Sequence, residues 1–323
     1  MKAITIKKAG GPEALNFQDI RMPEITANEI LIKVKTISVN FADVVARRNK
    51  KNDSKNIIPG LDCSGVVEDV GSNVASLVVG QRVVAFPTDG SYAEYVSVNQ
   101  NLVYPIPDSI DFDIATAALT VGVTAFNTIV KVAKLNSGES ILIHAAAGGI
   151  GTTAIQIAKN KGASRIIGTV GSDSKKQIAK NAGADKIINY REESFVDEVL
   201  KITDNKGVDV ILDTIAGKNF EDGMNCLADF GRMVIFGHIS GSPGNVTTDQ
   251  LHSSCRSVIG YSTIAYRNNR PLELKKSANK VLKLIEEKSL DMVISKKYNL
   301  SQANEAHEFI ESRQSTGKIL LKP

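Results

Sequence analysis

The residues with the clearest chemistry lie between positions 140 and 160. A short apolar run, Ser140-Ile141-Leu142-Ile143-His144, leads into Ala145-Ala146-Ala147-Gly148-Gly149-Ile150-Gly151. The next segment, Thr152 to Lys159, places Ala154, Ile155 and Ala158 on one side of a helix. Strand, glycine turn and helix in that order form the first unit of a dinucleotide-binding fold. Glycines let the backbone approach a pyrophosphate, and the helix start offers it unpaired N–H groups. The usual G-x-G-x-x-G is here Ala146-x-Gly148-x-x-Gly151. Alanine can hold the turn at negative φ, and Gly148 and Gly151 keep the positions that demand closeness.

A second group decides between the nicotinamide cofactors. About twenty residues beyond the fingerprint, an NAD-specific fold carries an acid for the ribose hydroxyls. That slot holds Gly171, followed by Ser172-Asp173-Ser174-Lys175-Lys176. A hydroxyl plus a cation suits a 2′-phosphate and favours NADPH. The competing reading makes Ser172 a helix cap and the lysines surface residues. Asp173 would repel the phosphate if it turned inward.

Composition narrows the classes. The 323 residues are 42% apolar and 23% charged, with a net charge of +4. Such a length suggests two domains. Lysines and arginines are scattered among acids, which argues against a nucleic-acid face. There is no uninterrupted run of about 18 apolar residues, so no membrane partner is expected. The first residues alternate like a strand and lack a signal-peptide core, which reads as cytoplasmic. Cys63, Cys226 and Cys255 are widely spaced with no C-x-x-C, and read as reduced, mostly buried thiols. His144 reads as a packed core residue and His307 as a structural one.

The elements that must position these residues fall into two styles. Residues 1–112 are rich in short strands separated by turns, which suggests a small barrel or partly open sheet. The polar stretch 44–54, with Arg47, Arg48, Lys50, Lys51 and Asp53, reads as a surface loop. Helices are expected over 111–119 and 120–133. From Ser140 onward, strands near 141–144, 165–170, 186–189, 208–213, 232–236 and 257–260 alternate with helices near 175–182, 194–203 and 219–230. Six strands with right-handed crossovers make a doubly wound sheet, an α/β fold. Phe236-Gly237-His238 follows the fifth strand, at the carboxyl edge where cofactors lie. A long charged helix is expected over 271–288.

The run His144 to Gly151 resembles the quinone oxidoreductase branch of the medium-chain dehydrogenase/reductase superfamily. The Pro59-Gly60 turn, the Gly80-x-Arg82-Val83 turn and Ala93-Glu94-Tyr95 match that family's N-terminal domain. The resemblance covers nearly the whole chain. It implies a GroES-like β-barrel catalytic domain over 1–112, completed by the tail 263–323, and a Rossmann NADP-binding domain over 113–262. It also implies a homodimer, with the edge strand near 257–261 as one place for the contact.

The resemblance assigns residues as well. Gly171-Ser172-x-x-Lys175 and Asn189-Tyr190 match the family's NADPH contacts. Ala147, Gly148, Gly149, Ile150 and Gly151 belong to the pyrophosphate turn, and Phe236, Gly237 and His238 to the nicotinamide ribose. Asn40-Phe41-Ala42-Asp43 matches the family's N-F-x-D segment. Asn40 is a candidate donor to the acceptor carbonyl, and Asp43 a holder of the loop. Thr124 matches a residue beside the nicotinamide; as a helix residue it could instead bond back to a carbonyl. Where zinc relatives carry metal ligands, this chain has Asn40, Leu61 and Asp62, so no zinc is expected. The family's tyrosine shortly after N-F-x-D is missing.

The expected activity is therefore a zinc-independent, NADPH-dependent reductase passing a hydride to quinones or related conjugated carbonyls. Two alternatives stand beside it: an enone or enoyl-thioester double-bond reductase, and a non-catalytic NADPH-binding protein.

Overall fold

The computed structural model describes residues 1–51 and 55–323. They form two compact units. One comprises Met1–Thr120, Ala265–Lys288 and Met292–Pro323; the other comprises Val121–Ile264 and Ser289–Asp291.

The first unit is built on a seven-stranded, mostly antiparallel sheet. Its longest strand, Glu29–Val39, buries Ile30, Ile32 and Val34 on one face, as period-two alternation of branched residues dictates, and the pairing irregularity at Val34–Thr36 precedes the buried Ile37. Cys63–Val70 pairs along it on one side, and Tyr95–Asn99 and Lys318–Lys322 pair on the other. Arg82–Ala85 and Val103–Pro105 extend the sheet. The tail strand enters antiparallel with Ile319 opposite Val39 and Leu321 opposite Ile37. That register carries Lys318 to the end of the long strand, where Asn40 begins the helix Phe41–Arg48.

The second unit contains a six-stranded parallel sheet. Its spatial order is Lys186–Asn189, Arg165–Val170, Ser140–Ile143, Val208–Asp213, Leu227–Ile235, Ser257–Gly260. Numbered along the chain this is 3-2-1-4-5-6, with the reversal between the first and fourth strands. The strands are almost continuous apolar runs because both faces are covered; Ile141, Leu142, Ile167, Ile211 and Leu212 have no exposed surface.

Several expectations need correction. Residues 112–132 form one helical run, Phe112–Phe126 continuing as a π-helical stretch Asn127–Val132, where two helices were expected. Gly122 lies inside the run and no proline interrupts it. The Thr128 hydroxyl donates back to the carbonyls of Thr124 and Ala125 at 2.8 and 3.1 Å, next to the point where the turn widens. By length and composition this is a helix apolar enough to span a membrane, and 83% of its apolar window is buried inside the protein, as in a core helix. The helix expected over 219–230 ends at Met224. Leu227 instead opens a strand opposite Val208, and Phe230 takes φ 61° at the irregular pairing that follows.

The stretch 44–54 is not all surface loop. Residues 44–48 belong to the helix Phe41–Arg48, and Arg47 has no exposed surface. Residues 52–54, including Asp53, lie outside the described residues. Of the three free cysteines, Cys63 and Cys226 are buried but Cys255 is exposed.

Candidate active site

In the second unit, the carboxyl ends of the parallel strands gather the cofactor candidates on one edge. The first strand ends at Ile143, and the glycine turn follows directly at the topological switch point. Ala145 makes the sharp turn in the left-handed region at φ 53°, and Ala146 is fully buried behind it. The left-handed residue is thus the one before the fingerprint position. Gly148 caps the helix Gly149–Asn160 at φ −80° and ψ 174°.

The two retained glycines have different jobs. A Cβ on Gly151 would fall 2.4 Å from the Ala145 carbonyl oxygen and 2.6 Å from Ala146 Cα, so this glycine permits helix–strand packing. A Cβ on Gly148 would meet only the Ala145 oxygen, at 3.3 Å, so its outer side is open. An open glycine backbone capping a twelve-residue helix fits a pyrophosphate. His144, behind the turn, is core: it bonds Thr169 Oγ1 through Nδ1 at 2.9 Å and stacks edge-on against Phe195. Burial pushes its pKa down to about 4, with the Asp213 charge pulling the other way.

At the second strand end the structure brings Gly171 and Tyr190 together. A Cβ on Gly171 would fall 2.6 Å from the Tyr190 hydroxyl, so only glycine leaves room for it there. Ser172 precedes a short 3-10 turn, Asp173–Lys175, and makes no capping bond with its side chain; its Oγ meets Ser174 Oγ at 2.9 Å. Lys175 therefore sits in that turn, ahead of the helix Lys176–Ala182. Asp173 is held by Lys176 at 2.7 Å and by Asn189 Nδ2 at 3.1 Å. The Lys176 hydrogen bond comes first among the causes that keep its carboxyl below the usual range. Its charge is thus partly neutralised within the protein. Phe236, Gly237 and His238 run beside the end of the fourth strand: the Phe236 N–H donates to Asp213 O, and Gly237 packs on Thr214. Thr124 bonds the Thr263 hydroxyl at 2.9 Å, and Thr128 in the same helical run bonds back to the Thr124 and Ala125 carbonyls.

In the first unit, Asn40 and Asp43 lie within a buried polar network. The Asn40 N–H donates to Asp43 Oδ2 at 2.8 Å, a capping interaction at the helix start. Asn40 Nδ2 donates to Ser38 Oγ and Asp62 Oδ1, both at 3.0 Å, and Lys318 Nζ donates to Asn40 Oδ1 at 2.7 Å and Val39 O at 3.1 Å. Ser38 also donates to Asp62, whose other oxygen accepts the Thr120 N–H at 3.0 Å. Both ends of the Asn40 amide are therefore engaged within the unit. Burial lowers the proton affinity of Lys318, and the charges of Asp62 and Asp43 oppose this.

Asp43 begins a directed chain. Arg47 Nη1 lies 3.0 Å from His307 Nδ1, His307 Nε2 lies 3.0 Å from the Tyr92 hydroxyl, and that hydroxyl lies 3.2 Å from Asp43 Oδ2. Arginine can only donate, so Nδ1 accepts, Nε2 carries the hydrogen, and Tyr92 passes its own to Asp43. Arg47 also holds Glu311 with two bonds of 2.7 and 2.9 Å and the Gly10 carbonyl at 3.1 Å. Burial, and then the Arg47 charge, push the His307 pKa down to about 3. Burial pushes Asp43 up to about 7, aided by Asp62 and opposed by its hydrogen bond from Asn40 and by Lys318.

Sequence reasoning missed Lys318, Tyr92 and Arg47 as members of this network. Lys318 had a local cue in Gly317-Lys318, but its neighbour is 278 residues away. Among the described residues, no group of three or more His, Cys, Asp or Glu could hold a metal ion.

A 3-2-1-4-5-6 parallel sheet with a glycine turn at its switch point, in one chain with a GroES-like sheet domain, defines the class of medium-chain dehydrogenases/reductases. Residues 26–108 match the family model described as an alcohol dehydrogenase GroES-like domain, and residues 149–285 match the one described as zinc-binding dehydrogenase. The chain is 36% identical to a quinone oxidoreductase of Salmonella typhimurium, with 99% of each covered. It is 31% identical to the human quinone oxidoreductase, over 99% of this chain and 97% of that one. A crystal structure of the Escherichia coli quinone oxidoreductase complexed with NADPH superposes with a TM-score of 0.93 at 33% identity, covering all of both chains. This chain belongs to the quinone oxidoreductase family of medium-chain dehydrogenases/reductases.

Proposed function

We propose that this protein is an NADPH-dependent quinone reductase that works without zinc. The observation that carries the reading is the carboxyl edge of the parallel sheet, where the open Gly148 cradle and the Gly171–Tyr190 pair accompany an Asp173 held by Lys176 and Asn189. In this reading Ala147, Gly148, Gly149, Ile150 and Gly151 hold the pyrophosphate. Gly171, Ser172, Lys175 and Tyr190 hold the adenosine 2′-phosphate. Phe236, Gly237, His238 and Thr124 flank the nicotinamide ribose and ring. The bound nicotinamide supplies the hydride; the protein orients it against the acceptor and excludes side reactions.

Asn40 was expected to donate to the acceptor carbonyl, but both its Nδ2 hydrogens go to Ser38 and Asp62 and its oxygen to Lys318, so it acts as a positioning residue, and Asp43 holds its loop through the backbone. Leu61 cannot ligate a metal, which supports zinc-free turnover. We read Met1–Thr120 and the tail as the catalytic domain, Val121–Ile264 as the NADP-binding domain, the protein as cytoplasmic, and its assembly as a homodimer. The test is steady-state oxidation of NADPH against a panel of quinones, enones and enoyl thioesters. Quinone turnover unchanged after dialysis against a chelator is the expected result. A strong preference for enoyl thioesters, no turnover at all, or activity lost with stoichiometric zinc overturns the corresponding part of the reading.

A further inference from the structure

The end of the second parallel strand carries one group that binding NADPH does not need. Arg165–Val170 closes at Gly171, the position from which an acid bonds the ribose hydroxyls in NAD-specific folds. Glycine leaves that position without a side chain, yet Asp173 follows two residues later, with 60% of its side chain exposed. Its carboxylate is drawn to one side. Lys176 Nζ at 2.7 Å and Asn189 Nδ2 at 3.1 Å both bond the same oxygen, Oδ1. Among the described residues none bonds Oδ2. Asn189 is itself fixed: it is buried, and its Oδ1 accepts the Arg191 N–H at 3.2 Å. The Lys176 ammonium also feels Glu193 and Glu192, but the hydrogen bond to Asp173 comes first among the causes that strengthen its hold on its proton. Glu193 Oε1 accepts the Asn189 N–H at 3.3 Å.

An ion pair this exposed adds little to stability. Its effect on an incoming charge is larger. A 2′-phosphate brings roughly two negative charges, and a bare carboxylate at the same strand end repels it. The same carboxylate, with an oxygen free, accepts hydrogen bonds from the ribose hydroxyls of NADH. The bonds from Lys176 and Asn189 offset the charge of Asp173 and hold it aside. We propose that Lys176 sets the cofactor preference as a positioning residue: through its bond to Asp173 it keeps the strand end open to the 2′-phosphate of NADPH, and without it Asp173 turns the same site toward NADH. The proposal rests on the NADPH reading of this strand end, in which Lys175 is the cation that meets the phosphate. Lys176 works only through Asp173.

The experiment is fluorescence titration of NADPH and NADH, with no acceptor present, into the wild type, Lys176→Met, Lys176→Arg, Asp173→Asn and the double variant Lys176→Met with Asp173→Asn. The readout is the ratio of the two affinities, which cancels general damage to the fold. Lys176→Met should lower the NADPH-to-NADH ratio about 10- to 100-fold, by weakening NADPH and strengthening NADH together. Lys176→Arg preserves the pair and should stay within about threefold of the wild-type ratio. In the Asp173→Asn background, Lys176→Met should move the ratio by less than about threefold, because the carboxylate through which the lysine acts is gone. A ratio that Lys176→Met leaves unchanged overturns the proposal. So does an equal fall with and without the Asp173 carboxylate, which makes Lys176 a direct phosphate ligand. A wild type with no preference for NADPH overturns the reading of the strand end itself, and the proposal with it.

Discussion

Gly148→Val separates cofactor binding from folding, and its companion Gly151→Val shows why. At Gly148 the backbone already has φ −80°, which any residue adopts, and an added Cβ meets one atom at 3.3 Å. The fold should lose only what a poor N-cap costs relative to glycine, about 1 kcal/mol or less. That is roughly 2–4 °C in Tm for a domain of this size. The valine methyls, however, occupy the open side of the turn, where the phosphates must come close. Losing two charge-assisted hydrogen bonds at about 1.5–3 kcal/mol each removes roughly 3–6 kcal/mol, a fall of about 10²- to 10⁴-fold in NADPH affinity. At Gly151 the added Cβ falls 2.4 Å from a backbone oxygen, so helix and strand must part and the protein should melt far earlier. The assay is nicotinamide fluorescence titration beside a thermal melt. A folded Gly148→Val protein with wild-type affinity would mean that the phosphates do not lie at this turn.

Lys175→Ala should weaken NADPH about 10- to 150-fold, the loss of one charge-assisted bond, while NADH affinity moves by less than about threefold; equal effects on both make Lys175 a surface residue. Arg47→Met leaves Glu311 to Arg48 alone, removes the donor to the Gly10 carbonyl and deprives His307 of its donor, so it should cost about 2–5 kcal/mol of stability, read by denaturant melts, and a loss below about 1 kcal/mol contradicts the network. The buried pair gives a pH signature. His307, with its pKa lowered to about 3, stays neutral in the fold while the unfolded chain binds a proton below its ordinary value, so its contribution is complete above that value and falls as pH drops toward 3. Asp43, raised to about 7, works oppositely: the fold keeps its proton longer, and stability is lost as pH rises through 7. In Asp43→Asn the opposing carboxyl is gone, and His307 and His144, both lowered by burial, should together remove about 4 kcal/mol of stability between pH 7 and 5, at about 1.4 kcal/mol per pH unit for each below the ordinary histidine value; a flat profile refutes the buried neutral imidazoles.

The local features of the second unit were legible in the chain because they are local in their physics. Apolar runs of four to six residues, closed by glycine or polar turns, located the six parallel strands, and the turn chemistry at Gly148 and Gly151 depends on neighbours within a few positions. Ser194 accepts the Asp197 N–H at its helix start, a bond between residues three apart. Errors came where pairing partners were distant or where a side chain changed the ladder. Leu227 belongs to a strand because Val208 lies beside it, and nothing between 219 and 230 announces that. The widening of the helix after Phe126 accompanies back-bonding by Thr128, which its propensity does not reveal.

The first unit depended far more on tertiary structure. Arg47 looked like one of several surface cations because its neighbours in sequence are Arg48, Lys50 and Lys51. Its burial comes from Glu311 and His307, on a helix more than 250 positions away. Lys318 reaches Asn40 only because the tail strand pairs with Glu29–Val39 in one particular register, and a shift by one residue would turn the ammonium to the other face. Sequence by itself determined what can form a turn, a strand or a phosphate cradle, because those follow from backbone freedom and short-range periodicity. Which charges meet in the interior, and therefore which are neutral, which are paired and which are left for a ligand, was decided by strand pairing between distant parts of the chain.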